Sequence, residues 1–215
     1  PEQSVDKAIL DDNFNKNIDF YLSNIAYPTK NLIVSDDMVM RDIKFMQISF
    51  VPFKYYPQLQ HLEVFNDVDI IVEQVGNVNQ TNEMPISQSF EDLYDSFLIN
   101  YERDEDPIYQ QPAILYIGSS SAINNSYFQD LLHWRKEKGY IVYTATTSQT
   151  GTSTSSIKNY IQDAYDSWIP KPEFVTLIGD DGGSYSDIPT YFENWSGYNG
   201  EGDHPYSQLD GNDLM

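Results

Sequence analysis

The chain of 215 residues contains no cysteine. Within these residues that excludes disulfides, thiolate zinc sites, iron–sulfur clusters and a cysteine nucleophile. Histidine is nearly as scarce: His61, His133 and His204 are the only three. Any histidine-based catalysis must use one of them or lie outside the chain. Basic residues number 12 against 33 acids, a formal charge of −21. Such a surface repels phosphate backbones and anionic lipid, which argues against nucleic acid and membrane-surface partners. It suits cation binding, basic substrates or a salty exterior. No apolar run approaches the roughly 18 residues of a membrane span. No signal peptide is visible, and Pro1 reads as the start of a processed or trimmed chain.

What is there is apolar and aromatic. Hydrophobic residues make up 40% and aromatics 14%, led by 17 Tyr and 11 Phe. That supplies a core and excludes wholesale disorder. The length predicts one to two domains, and the pattern predicts an α+β chain of two unlike parts, 1–107 and 108–215.

The first part reads as β-rich, an antiparallel sandwich of short strands. Ile43, Phe45, Ile48 and Phe50 nearly alternate, with a slip at Met46-Gln47 that suits a bulge. Pro52 and Tyr55–Gln60 provide a turn, followed by strands at His61–Phe65 and Asp67–Val75. Residues 76–90 read as a loop or linker. Ser89–Ile99 has helical spacing behind a capping-type serine, and Glu102–Pro107 is a charged, exposed connection.

The second part alternates strand and helix. Ala113–Gly118 is a buried strand. Asn125–Lys138 is a helix, with Arg135, Lys136 and Lys138 in its last turn and Gly139 as its stop. Tyr140–Thr144 is a strand, a helix runs from about Ser153 to Trp168, and Phe174–Gly179 is a third strand. This order predicts right-handed crossovers and a parallel sheet.

Sites in open parallel sheets lie beyond the carboxyl ends of the strands, where Asp180-Asp181 falls. After Lys171 there is no Lys or Arg, while nine acids follow. Asp203, Asp210, Asn212 and Asp213 add oxygen donors. Oxygen-only ligands with no nearby base suit a hard cation, calcium ahead of magnesium. An acidic, solvated loop explains the same residues equally well. His133 reads as a partly buried helix histidine, and His61, at a strand start, as structural or exposed. His204, flanked by Asp203 and Pro205, lacks an accompanying Gly-x-Ser-x-Gly motif, so a serine triad is not supported. Gly118–Ser121 lacks the dinucleotide and P-loop fingerprints and reads as a turn.

Several stretches resemble the gingipain family of cysteine peptidases. They are Pro112–Ile117, Leu132–Tyr140, Phe174–Asp180 and, most specifically, Asp203-His204-Pro205-Tyr206-Ser207-Gln208-Leu209-Asp210-Gly211-Asn212-Asp213. The last is similar to that family's Asp-x-x-Tyr-x-x-x-x-Gly-Asn-Asp segment. Val51–Pro57 and Leu62–Val64 look like the tail of its β-rich prodomain, so the resemblance spans roughly residues 40–215.

The resemblance implies a propeptide part followed by the first subdomain of a caspase-like α/β fold. The Cys–His dyad would lie downstream, so none of the three histidines here is assigned a catalytic role. It implies a secreted or cell-surface bacterial zymogen acting on protein or peptide substrates, together with the missing catalytic segment. It also implies a calcium site in which Asp180 and Asp213 supply carboxylates and Asp210 and Met215 backbone carbonyls or an added carboxylate, with a further ligand expected just past the end. Glu102-Arg103-Asp104 becomes a maturation region, since the family's best-known members cut after basic residues. A non-catalytic calcium-binding or interaction module is the alternative. A magnesium phosphotransfer domain is disfavoured, because no base follows Lys171 to balance a phosphate.

Overall fold

A computed structural model describes residues 17–73, 85–195 and 198–210. The chain divides into two compact units. One comprises residues 1–37 and 46–78, the other 38–45 and 79–215.

In the first unit a short helix, α1 (Ile18–Tyr21), precedes β1 (Leu32–Val34). β4 (Ile48–Phe50) pairs antiparallel with β1, Leu32 facing Phe50. β5 (Phe53–Tyr56) and β6 (His61–Val64) form a hairpin, with Phe53 facing Val64. The strand at 61–65 is thus borne out. The expected turn at 55–60 shrinks to four residues, because Tyr55 and Tyr56 are still in ladder. Residues 67–73 form no strand, although Ile70, Ile71 and Val72 suggest one. β-propensity describes fitness for a half-buried pleat, and here Ile71 is 81% exposed. The antiparallel pairing expected of a sandwich is present as separate two-stranded ladders. Among the described residues, the buried hydrophobic core holds no member of this unit. Its apolar contacts are aromatic edges, such as Phe20 on Tyr27 and Phe50 on Phe65.

The second unit opens with a hairpin. β2 (Met38–Met40) and β3 (Ile43–Phe45) pair antiparallel around Arg41-Asp42. The slip read at Met46-Gln47 is therefore a break between strands of different ladders, and β3 and β4 share no partner. Helix α2 (Gln88–Phe97) follows, capped by Ser87 through the Phe90 N–H. The cap lies two residues before the serine that the sequence suggests.

The central strand β7 (Ala113–Gly118) pairs in parallel with β8 (Ile141–Thr146) on one side and β9 (Phe174–Ile178) on the other. Helices α3 (Ser120–Ile123) and α4 (Ser126–Glu137) connect β7 to β8. Helices α5 (Thr147–Thr150) and α6 (Thr154–Ser167) connect β8 to β9. Every residue of β7 is buried. Side chains alternate across a strand, so Leu115 and Ile117 join Ile157, Ile161 and Ala164 of α6. Ile114 and Tyr116 join Ile123 and Leu132 of α3 and α4 on the opposite face. A strand covered on both faces reads as a continuous apolar run, which is why this element was legible to the residue. Gly139, at φ +90, terminates α4 in a left-handed conformation.

After β9 the chain makes a hairpin of β10 (Tyr191–Trp195) and β11 (Tyr198–Gly202), then a 3-10 turn at His204–Tyr206. Short α3 and α5 and this hairpin were not expected. Their formation rests on capping serines, threonines and tertiary contacts more than on apolar periodicity.

Candidate functional site

Two regions of the second unit concentrate chemistry. The first lies beyond the carboxyl ends of the parallel strands. At Gly179 the chain turns so tightly that an added Cβ would lie 2.6 Å from the Ser186 carbonyl oxygen and 2.7 Å from Ile188. Only glycine fits such an approach. The Asp180 N–H donates to the Ser186 carbonyl at 3.1 Å, and the Asp180 carbonyl accepts from Gly183 at 3.1 Å and Ile188 at 3.2 Å. The Gly182 N–H donates to the Asp187 carboxylate at 2.9 Å. The Ser186 hydroxyl donates to the Ile178 carbonyl at 2.6 Å and accepts from the Ser119 N–H at 3.1 Å, tying the exits of β7 and β9 together. The side chains of Asp180, Asp181 and Asp187 face solvent.

The second region surrounds a cavity of about 540 Å³ between the β2–β3 turn, α2, α6 and β9. Arg41 adopts φ +52, and its side chain is 3% exposed. Its guanidinium donates to the carbonyls of Pro172 at 3.0 Å and Lys171 at 3.3 Å and lies 5.0 Å from the Phe90 ring. Asp42 receives Lys171 at 2.7 Å. The Tyr165 hydroxyl lies 2.7 Å from the Arg41 carbonyl and 2.6 Å from Asp210 Oδ2. Burial first, and Asp210 second, raise the Tyr165 hydroxyl well above the ordinary phenol range. Tyr94, buried in α2, donates to the Met40 carbonyl at 2.9 Å, and burial pushes it up to about 12.

α2 also holds the connection to the parallel sheet. Glu91 is fully buried, and its carboxylate accepts from the Tyr101 hydroxyl at 3.1 Å and from the Tyr109 hydroxyl. Arg103 reaches Asp92 at 2.8 Å and Asp95 at 3.1 Å.

Of the expected cation ligands, Asp180 and Asp210 fall among the described residues. Asp180 stands at the exit of β9. The Asp210 carboxylate stands on Tyr165, whose hydroxyl also meets Arg41, and Arg41 grips Pro172 at the entry of β9. Asp203 accepts from Thr190 at 3.0 Å. Asp213 and Met215 lie outside the described residues, among which no group of three or more His, Asp or Glu side chains could hold a metal ion.

The histidines form no site. His133 was expected to be partly buried, but its side chain is 76% exposed and pairs with Glu137 at 3.2 Å. It sits on the outer face of α4, whose buried residue is Leu132. His61 is exposed beside Tyr56, as expected. His204 is exposed and opens the 3-10 turn. The roles of Arg41, Tyr165 and Glu91 were not anticipated, since no local pattern marks a residue whose partners are 10 to 131 positions away.

The chain thus has two parts, a segment rich in antiparallel pairs and a parallel α/β sheet with acidic loops at its carboxyl edge. Two family models match it in succession: Propeptide_C25 over residues 7–109 and Peptidase family C25 over residues 108–215. The chain belongs to peptidase family C25 and joins its propeptide to the start of its peptidase region. Gingipain R2 of Porphyromonas gingivalis strain ATCC 33277 is 22% identical over 200 residues, covering 90% of this chain and 26% of that protein. Gingipain R2 of strain W83 matches to the same extent. The chain thus spans about a quarter of the length of these curated relatives. No solved structure matches it at a significant level. Among the described residues, no helix is long and apolar enough to cross a membrane.

Proposed function

We propose that this chain is the front part of a secreted bacterial cysteine endopeptidase zymogen. Its Cys–His dyad lies in the part of the parent protein that these residues do not include. The observation that carries the reading is the order of the two family matches, propeptide then peptidase, meeting at residues 108–109. In the parent, a thiolate attacks the substrate carbonyl, a histidine moves the proton, and main-chain donors stabilise the oxyanion. This chain supplies the first three parallel strands of the scaffold and the propeptide elements packed on it.

The test is peptide hydrolysis by the parent protein after propeptide removal, with and without a thiol-alkylating agent. Alkylation-sensitive cleavage is expected. A parent that cleaves no peptide bond under any processing condition would overturn the reading in favour of a non-catalytic interaction module.

We also propose that the loop after β9 contributes to a calcium site through Asp180. The donor chemistry fits a hard cation: solvent-facing carboxylates, main-chain carbonyls and no Lys or Arg in the loop. Asp210, whose Oδ2 lies 2.6 Å from the Tyr165 hydroxyl, would add its main-chain carbonyl. Millimolar calcium should raise the melting temperature relative to chelator, and Asp180→Ala should abolish the rise. No movement in either protein would remove calcium from the account.

A further inference from the structure

The chain contains three arginines. Arg41 pairs with Asp42, and Arg103 with Asp92 and Asp95. Arg135, in the last turn of α4, has no ion pair among the described residues, although acids outnumber bases 33 to 12. Ring faces hold its guanidinium instead, 5.0 Å from the centre of Trp134 and 5.5 Å from that of Tyr140. Its Nε is buried and donates to no acceptor among the described residues, and a buried donor left unmade is costly. Arg135 also lines a cavity of about 420 Å³ beside the first residues of β7 and β9, with Ile114, Tyr140, Glu173, Phe174 and Val175. Glu173 is the carboxylate in that lining, and its oxygens accept from Gln110 at 2.8 Å and Ser89 at 3.3 Å. The surrounding charge is positive in an otherwise acidic chain. Residues 108–162 carry Arg135, Lys136, Lys138 and Lys158 against Asp130 and Glu137, and Glu137 lies 3.2 Å from His133.

From this geometry we propose that the Arg135 pocket is a docking site for an acidic peptide segment, whose Glu or Asp side chain is received by the guanidinium. A carboxylate matches the fork of an arginine through two parallel hydrogen bonds. The two rings already fix the guanidinium, so little freedom is lost on binding. Apolar surface beside the fork takes the neighbouring side chains of the peptide, since Trp134 is 46% exposed and Phe174 42%. Glu173 sets the charge of the ligand. Arg135 balances one negative charge, whereas a phosphate dianion would meet Glu173 with no second cation in the lining, and like charges brought together are penalised. Lys136 and Lys138 stand exposed nearby, Lys138 5.7 Å from the Trp134 ring, and charges so placed speed the encounter with an acidic partner. The helix dipole accounts for bases at the end of α4. It does not account for a guanidinium turned onto two rings, from which no carbonyl accepts among the described residues.

The probe is acetyl-Tyr-Glu-Tyr-amide, blocked at both ends so that the glutamate is its only carboxylate. Acetyl-Tyr-Gln-Tyr-amide is its neutral match. Each is titrated into the isotope-labelled chain while magnetic resonance follows the arginine Nε–H signals and the Tyr140 amide. The glutamate peptide should shift the Arg135 signal saturably and leave those of Arg41 and Arg103 in place. The glutamine peptide should bind about tenfold more weakly or worse, the fold-change of losing one charge-assisted hydrogen bond. Arg135→Lys keeps the charge and loses the fork, and should weaken the glutamate peptide roughly fivefold as read on the Tyr140 amide. Salt at about 0.5 M should weaken the glutamate peptide and not the glutamine one. Equal binding of the two peptides, an unmoved Arg135 signal, or an Arg135→Lys variant that binds as tightly as wild type overturns the proposal. Inorganic phosphate that moves the Arg135 signal as far at the same concentration also overturns it, in favour of a general anion site. The comparison of the two peptides uses wild type alone, so it decides the matter even where Arg135→Lys fails to fold.

Discussion

Replacing Arg41 tests whether the β2–β3 turn is an anchor or merely lies against the sheet. Its guanidinium is desolvated and donates to two main-chain carbonyls at the entry of β9. Hydrogen bonds involving charged groups contribute about 1.5–3 kcal/mol net each. The two here share one buried guanidinium, whose desolvation truncation recovers, so their sum is an upper bound. Asp42 keeps Lys171 at 2.7 Å, so its charge is not orphaned. Arg41→Ala should therefore destabilise the second unit by about 2–3 kcal/mol, just below the range for breaking a buried ion pair.

Backbone conformation supplies an internal control. Arg41 sits at φ +52, where a Cβ costs roughly 1–2 kcal/mol. Arg41→Gly should recover part of that and fall about 0.5–1 kcal/mol short of the alanine loss, after glycine's own chain entropy. Urea unfolding at equilibrium gives both values, and amide exchange at Met38–Phe45 reports whether the hairpin opens locally. An alanine variant within 0.5 kcal/mol of wild type, with unchanged exchange, would refute the anchor.

Gly179→Ala should cost more than 2 kcal/mol and lower soluble yield, because its Cβ meets the Ser186 carbonyl at 2.6 Å and backbone cannot yield cheaply; a wild-type melting temperature would contradict this. Ile157, fully buried between α6 and β7, should lose about 3–4 kcal/mol on truncation to Ala; urea midpoints measure it, and a loss under 1 kcal/mol would mean the parallel sheet packs differently. Burial raises Tyr94 and Tyr206 to about 12, so the folded state favours the neutral phenol. The resulting stability, about 2–3 kcal/mol per group as an upper bound, is fully present below pH 10 and lost as pH rises through 12. Unfolding free energies between pH 8 and 11.5 should fall above 10, less steeply in Tyr94→Phe; a flat profile would remove the argument.

The parallel sheet was legible almost residue by residue, whereas the first part was legible only in kind. Ala113–Gly118 and Phe174–Ile178 are short apolar runs punctuated by glycine, and their length and flanking turns read as strands, although only the first is buried throughout. Around Arg41–Phe50 the alternation is as clear, yet it belongs to two strands in different ladders. Alternation reports that residues face alternate sides, not which strand lies beside them.

The site divides along the same line. The acidic, base-free stretch after Lys171 was visible as composition. Which partner each carboxylate takes was not, because Asp210 meets Tyr165 from 45 positions earlier in the chain. Glu91 looked like one first-turn acid among several, and only packing shows that it alone is buried under two tyrosine hydroxyls. The sequence by itself determined the local elements of the second unit, the strongly acidic charge, and a resemblance strong enough to name a family. The tertiary structure alone decided that Arg41, Asp42, Lys171, Tyr165 and Asp210 form one cluster and that Arg103 is held by α2. Those contacts join residues far apart in the chain, and their energies depend on burial and distance, neither of which has a local signature.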